Sequence, residues 1–186
     1  MTIFLTSDLH LCHDREFLFK PRGFDSIADH DITICENWNS VVQPEDDVYI
    51  LGDLMLNDNE KALNMLKCLN GRKHIILGNH DTLTRMRAYV EENICVEEPK
   101  WADMIHYKGY HFYMSHFPTM TANLEKESLK QCTISLHGHT HSKDHFYMDM
   151  PFLYQVGMDA HNCYPVLLDD AIEEMKAEVN KCKEQL

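Results

Sequence analysis

The chain has 186 residues, 44% of them hydrophobic and 25% charged, with a formal net charge of −13. That length fits one domain, residues 1–186, with a sizeable core, and the composition is that of a soluble globular protein. The summed negative field repels polyanions and disfavours long-range attraction to DNA, RNA or anionic membranes.

No apolar run approaches the roughly 20 residues that a bilayer requires, and "MTIFLTSDLH" carries no basic leader before Asp8. The seven cysteines are odd in number and contain no C-x-x-C, which reads as scattered reduced thiols rather than a disulfide framework or zinc knuckle. These features predict a cytoplasmic protein with no membrane partner.

In chain order, "TIFLTS" predicts a strand, and Ile34, Trp38, Val41 and Val42 mark one face of a helix over 27–42. "DDVYILGD" is a second strand. Ala62, Met65, Leu66 and Leu69 mark the next helix, which Gly71 stops, and "KHIILGNHD" is a third strand. A short helix follows from about residue 82, and "MIHYKGYHFYMSH" predicts a hairpin turning near Lys108 and Gly109. "TISLHGHTH" and "FLYQVGMD" add two strands, and Ile172, Met175, Val179 and Cys182 close the chain with an amphipathic helix. Strands alternating with helices, then strands in succession, argue for a layered α/β domain with a mixed sheet or two packed sheets.

The polar residues fall at the ends of these strands: Asp8 and His10 after the first, Asp53 after the second, Asn79 and His80 after the third, His116 after the hairpin. Ligand crevices of open α/β sheets form at such ends. If these segments stay extended, alternate side chains share a side, so Asp8 and His10 aim at one point, as do His139 and His141. Carboxylate and imidazole together suit a divalent transition metal better than calcium or magnesium. Glycines at 52, 78 and 138 precede Asp53, Asn79 and His139, where they let the backbone approach an ion closely.

Five signatures then stand in order: D-x-H at 8 and 10, G-D at 52 and 53, G-N-H-D at 78–81, the lone His116 in "MSHFP", and G-H-x-H at 138–141. In this the chain resembles the calcineurin-like metallophosphoesterases, in their small bacterial or phage-type form. The resemblance implies an α/β/β/α-type sandwich with mixed sheets. It also implies two divalent ions: Asp8, His10 and His141 on one, Asn79, His116 and His139 on the other, with Asp53 bridging. Manganese is the first choice, with iron, nickel or zinc also suited to the mixed nitrogen and oxygen donors.

The implied activity is hydrolysis of phosphate esters, diesters before monoesters, by a metal-bridging hydroxide. The implied substrate is a small phosphate ester, and a nucleotide or nucleic-acid end is compatible with it. His80 falls outside the implied metal set and faces the substrate as phosphate-binding group or general acid, alongside the catalytic Asp53. Some relatives orient that histidine with an acid three residues after the G-D aspartate, where this chain has Leu56, so Asp81 or Asp58 is the alternative partner.

Asp81 is equally a candidate N-cap for the helix that follows. His13 and Arg22 in "LCHDREFLFKPRGF" are further candidates to hold substrate phosphate. Cys12 is expected to pack rather than react, and His137 to pack or hydrogen-bond within its strand. Two other readings remain: a phosphoesterase fold that binds without catalysis, and a metallo-β-lactamase-type hydrolase suggested by "HTHSKDH". An extra residue before Asp144 spoils the second.

Overall fold

The computed structural model describes residues 2–122 and 128–184. The first half alternates as the periodicity predicts: β1 Ile3–Thr6, α1 Glu16–Phe19, α2 Ile27–Val41, β2 Asp47–Leu51, α3 Asn59–Cys68, β3 Arg72–Ile76 and α4 Leu83–Glu91. Strands then dominate: β4 Ala102–Tyr107, β5 Tyr110–Ser115, β6 Thr133–His137, β7 Leu153–Gln155 and β8 Val166–Leu167. The helix α5 Leu168–Glu184 closes the chain. The four-residue α1 and two-residue β8 are too short to leave a periodic signal.

The strands form two four-stranded mixed sheets, β3-β2-β1-β8 and β4-β5-β6-β7. In the first, β1, β2 and β3 run parallel and β8 antiparallel. In the second, β5, β6 and β7 run parallel and β4 antiparallel. The β4–β5 turn is Lys108–Gly109, with φ of 49° and 81°, the left-handed pair whose twist matches a hairpin.

Pleating sends alternate residues of the first sheet to two cores. Phe4, Val48, Ile50 and Ile75 meet Ile34 and Trp38 of α2, Ala62 and Leu66 of α3, and Tyr89 of α4. Ile3, Leu5, Leu51 and Ile76 face Phe112, Met114, Ile134 and Leu136 of the second sheet, together with Leu168, Ile172 and Met175 of α5. Of the residues marking the first helix, Ile34 and Trp38 are fully buried while Val41 is exposed.

The helix starts have local causes. Ser26 caps α2 by accepting from the Asp29 amide, and Asp58 caps α3 by accepting from the Lys61 amide. Thr82, not Asp81, caps α4 by accepting from the Arg85 amide. This corrects the expectation that offered Asp81 as a candidate for that cap. Among the described residues no helix is long and apolar enough to cross a membrane.

Candidate metal centre

The parallel strands of both sheets end at one place. Asp8 and His10 follow β1, Asp53 follows β2, Asn79 and His80 follow β3, His116 follows β5, and His139 and His141 follow β6. All seven expected metal ligands converge there, although segments more than 130 residues apart supply them. The loops do not remain extended, however: Asp8, His10, Asp53, His139 and His141 all have φ between 49° and 69°. Alternation along a strand is therefore not what aims them. Left-handed turns do, at roughly 1–2 kcal/mol for each non-glycine residue.

Two glycines make the crowding possible. A Cβ on Gly78 would stand 2.2 Å from Asp53 Oδ1, and one on Gly138 would stand 1.9 Å from Ser7 Oγ and 2.4 Å from Asp8 Oδ2.

The donor atoms form two sets. In the first, His10 Nε2 and His141 Nε2 are 3.3 Å apart and lie 3.9 and 3.7 Å from Asp8 Oδ1. Asp8 Oδ2 accepts from Ser7 Oγ and the His139 amide. Asp8 Oδ1 is fully buried with no hydrogen-bond partner, a costly condition for a carboxylate oxygen that a cation would relieve.

In the second set, His116 Nε2 lies 2.8 Å from Asn79 Oδ1, and His139 Nδ1 lies 2.9 Å from Asn79 Oδ1 and 3.2 Å from His116 Nε2. His116 Nδ1 donates to the Leu51 carbonyl at 2.8 Å. That fixes the ring orientation, with Nε2 facing Asn79 Oδ1 and His139 Nδ1. Three atoms able to act as metal ligands, turned toward one another, fit a bound cation. Between the sets, Asp53 Oδ2 sits 3.7 Å from His10 Nε2 and 3.4 Å from His116 Nε2.

The electrostatics follow from burial. For Asp53 burial acts upward, but the His116 hydrogen bond and charge, the His80 amide and His10 outweigh it and hold the carboxyl at about 2. His10 is pushed down to about 2 by burial, against the pull of Asp53. Asp53 is therefore ionised at neutral pH, and His10 keeps a free lone pair.

His80 is the member of the cluster that belongs to neither donor set. Its side chain is 40% exposed, its Nε2 lies 3.9 Å from Asp53 Oδ2, and its amide donates to Asp53 Oδ1 at 2.8 Å. The acids expected to orient it are occupied elsewhere. Asp81 accepts from the Asp53 amide, the Gly78 amide and the Tyr89 hydroxyl, tying the β2 and β3 loops together. Asp58 caps α3.

Two substrate-binding expectations are corrected. The Arg22 side chain is only 1% exposed, and its guanidinium is taken up by Asp159, the Asp8 carbonyl and His30. His13 is 6% exposed with its Nδ1 3.2 Å from His10 Nδ1. Burial and the facing His80 lower its pKa, so it brings no cation to the opening.

Cys12 packs in the core with its thiol pushed up to about 12 by burial and Asp31. His137 is fully buried and its Nδ1 bonds the Gly138 carbonyl at 2.9 Å, as its strand position implied. Asp144 bonds Ser142 in a local turn, so the metallo-β-lactamase ligand run does not form. No motif pointed to Asp159, whose Oδ2 lies 2.8 Å from His141 Nδ1.

A mixed two-sheet sandwich with helices at its flanks and a histidine and carboxylate cluster at the parallel strand ends defines a phosphoesterase fold. The profile of the calcineurin-like phosphoesterase superfamily domain matches residues 1–157, and the chain belongs to that superfamily, whose members are metal-dependent hydrolases of phosphate esters. Beyond the matched stretch, β8 pairs with β1 and α5 packs in the inter-sheet core.

An uncharacterised protein of Methanocaldococcus jannaschii is 31% identical over 176 residues, which cover 90% of this chain and 87% of that protein. The gene 66 protein of Mycobacterium phage D29 is 30% identical over 200 residues, covering 96% and 98%. Among solved structures, a protein of unknown function from Aquifex aeolicus matches with a TM-score of 0.69 at 23% identity, covering 92% of this chain and 98% of that one. An archaeal phosphodiesterase matches with a TM-score of 0.50 at 18% identity, covering 84% and 82%. At these identities the two structures establish a shared fold.

Proposed function

We propose that the protein is a binuclear phosphodiesterase. Asp8, His10 and His141 would hold one divalent ion, Asn79, His116 and His139 the other, and Asp53 would bridge them. The observation that carries this is the position of Asp53 Oδ2, within 3.7 Å of a donor from each set. Manganese suits the mixed donors best, and iron, nickel or zinc are the alternatives. When bound, such ions lower the pKa of water toward about 7 and counter charge on the phosphoryl oxygens.

The protein's own groups do the rest. His80, exposed and anchored through its amide, carries at Nε2 the proton that passes to the departing oxygen. A monoester dianion would call for a further cation at the opening, and Arg22 is spent inside the wall. A singly charged diester therefore fits better. Flat, uncharged ester groups have surfaces to meet: Phe17, 73% exposed, stands 5.9 Å from the His13 ring, and Phe117, 48% exposed, stands 4.6 Å from the His139 ring. Aromatic faces stack bases with little sequence preference, so a small nucleotide diester is the proposed substrate class.

A non-catalytic scaffold is the weaker reading, because every donor position is filled and His80 faces outward. The odd cysteine number without C-x-x-C supports a cytoplasmic place of action. The test compares metal-stripped and manganese-loaded protein on an aryl phosphodiester and the matching monoester. Manganese-dependent cleavage, faster on the diester, is the expected result. No hydrolysis of either with any of the four metals would overturn the proposal.

A further inference from the structure

Behind the first donor set runs a chain of polar side chains that none of the five motifs contains. Arg22 is the key to its direction, because a guanidinium only donates. It donates through Nε to Asp159 Oδ1 at 3.0 Å and through Nη2 to Asp159 Oδ2 at 2.6 Å, a two-pronged pairing, and through Nη2 to the Asp8 carbonyl at 2.9 Å. Its Nη1 donates to His30 Nε2 at 3.0 Å. His30 Nε2 is thus an acceptor, and its Nδ1 donates to Asp31 Oδ1 at 3.0 Å. Asp31 in turn accepts the Cys12 amide at 3.2 and 3.1 Å. At the other end Asp159 Oδ2 accepts from His141 Nδ1 at 2.8 Å, which leaves His141 Nε2 as the atom turned toward Asp8 Oδ1 and His10 Nε2.

The contacts of this chain select one half of the centre. They grip the Asp8 carbonyl and the Cys12 amide, which bracket His10, and they set the ring of His141. Those are the three proposed ligands of the first ion. The second set is braced separately, by the Leu51 carbonyl on His116. The backbone at Asp8, His10 and Cys12 is left-handed, with φ of 57°, 49° and 62°. Such a conformation persists only where surroundings over-determine it.

We infer that Arg22 and Asp159 are positioning residues that organise the first metal subsite alone, an inference resting on the two-ion reading above. Groups bonded to the far nitrogen of a ligating imidazole hold its tautomer and orientation, and their loss costs about 10–100-fold in metal affinity. The effect here falls on one ion of the pair.

The test is a titration of the full-length, metal-stripped protein with manganese, read by calorimetry and by the spin coupling of a manganese pair in electron paramagnetic resonance. Wild type binds two ions with a coupled signal. Asp159→Ala is expected to weaken one ion about 10–100-fold, leaving the other at wild-type affinity with an uncoupled signal. Arg22→Lys, which loses the planar fork, moves in the same direction. Asp159→Asn, close in shape, serves if the alanine variant does not fold, and thermal melting without metal reports folding directly.

Two ions retained at wild-type affinity in these variants would overturn the inference while leaving the binuclear reading intact. Equal weakening of both ions, together with a lowered metal-free melting point, would also overturn it, since that marks a general structural role. A wild type that binds no metal would sink the reading on which the inference stands.

Discussion

In the first sheet, the parallel strands β1, β2 and β3 deliver both central carboxylates, Asp8 and Asp53, each 2% exposed or less. In the second sheet, the parallel strands β5 and β6 deliver imidazoles, of which His116 is buried while His139 and His141 are exposed. The first sheet uses the C-terminal ends of three parallel strands and the second those of two, and each has one antiparallel strand at its edge. The difference lies in how each holds its groups. Buried anions demand several donors at short range, so the first sheet surrounds Asp53 with the amide of His80 and the rings of His10 and His116, and seats Asp8 against Ser7 and the His139 amide. Imidazole rings tolerate water, so the second sheet leaves two of its three exposed. It braces His116 and His141 through their far nitrogens, on the Leu51 carbonyl and Asp159.

The largest effect is expected where the two sheets meet. Asp53→Asn removes the charge between the sets, and kcat on an aryl diester should fall on the order of 10³-fold or more, with the circular dichroism spectrum unchanged. Equal rates in variant and wild type would refute a shared role for that carboxylate. His80→Ala sharpens the assignment of the exposed group. As a general acid it contributes roughly 10²–10⁴-fold, but mainly for poor leaving groups, so an alkyl ester should lose far more rate than a nitrophenyl ester. Uniform loss across leaving groups would mean that the ring binds phosphate instead.

Gly78→Ala attacks the packing of the first sheet directly, since the new methyl would meet Asp53 Oδ1 and, at 2.7 Å, its amide. Overpacking of this kind costs about 1–3 kcal/mol. Activity should fall with stability, as read by urea unfolding and kcat together. By contrast, Leu66→Ala on α3, fully buried in the helix-side core, should lose about 2–5 kcal/mol of stability. Its KM at low temperature should match wild type, and a raised KM would mean that the helix layer shapes the cleft.

The two sheets were not equally legible. In the first, long apolar runs stop abruptly at Asp8, Asp53 and Asn79, and helical periodicity between them makes the parallel order readable. In the second, β7 is only three residues long, too short for alternation to speak. The ligands in G-H-x-H could be named by resemblance, yet the reason they converge could not. Non-glycine residues with positive φ carry no composition signal, and the expectation of extended, alternating side chains fails at Asp8, His10, His139 and His141. Asp159 was invisible because its meaning depends on Arg22, 137 positions away. Arg22 in turn looked like a phosphate ligand because a lone arginine in a loop gives no sign of being buried.

The smallest expected effect contrasts a buried histidine behind the first sheet with a half-buried one behind the second. His30 lies on α2 against the first sheet and His161 follows β7 of the second. Burial lowers the pKa of both, opposed at His30 chiefly by Asp31 and at His161 by the Gln155 carbonyl. The unfolded chain binds these protons below about pH 6.5 while the folded chain does not. Stability is therefore fully present above that pH and declines as pH falls, by about 1.4 kcal/mol per unit for each such histidine. His161 Nε2 donates to the Gln155 carbonyl at 2.7 Å, with the His145 ring 4.4 Å away and Glu174 bonded to His145. A His161→Gln variant can keep that donor without the titration. Urea unfolding of metal-free protein at pH 7.5 and 5.5 should show a shallower loss for the variant, by at most one proton's worth. The ligand histidines titrate alike in both proteins, so the difference between the slopes isolates His161. Identical slopes would mean that His161 already gains its proton in the folded state and that the second sheet is open to water behind β7.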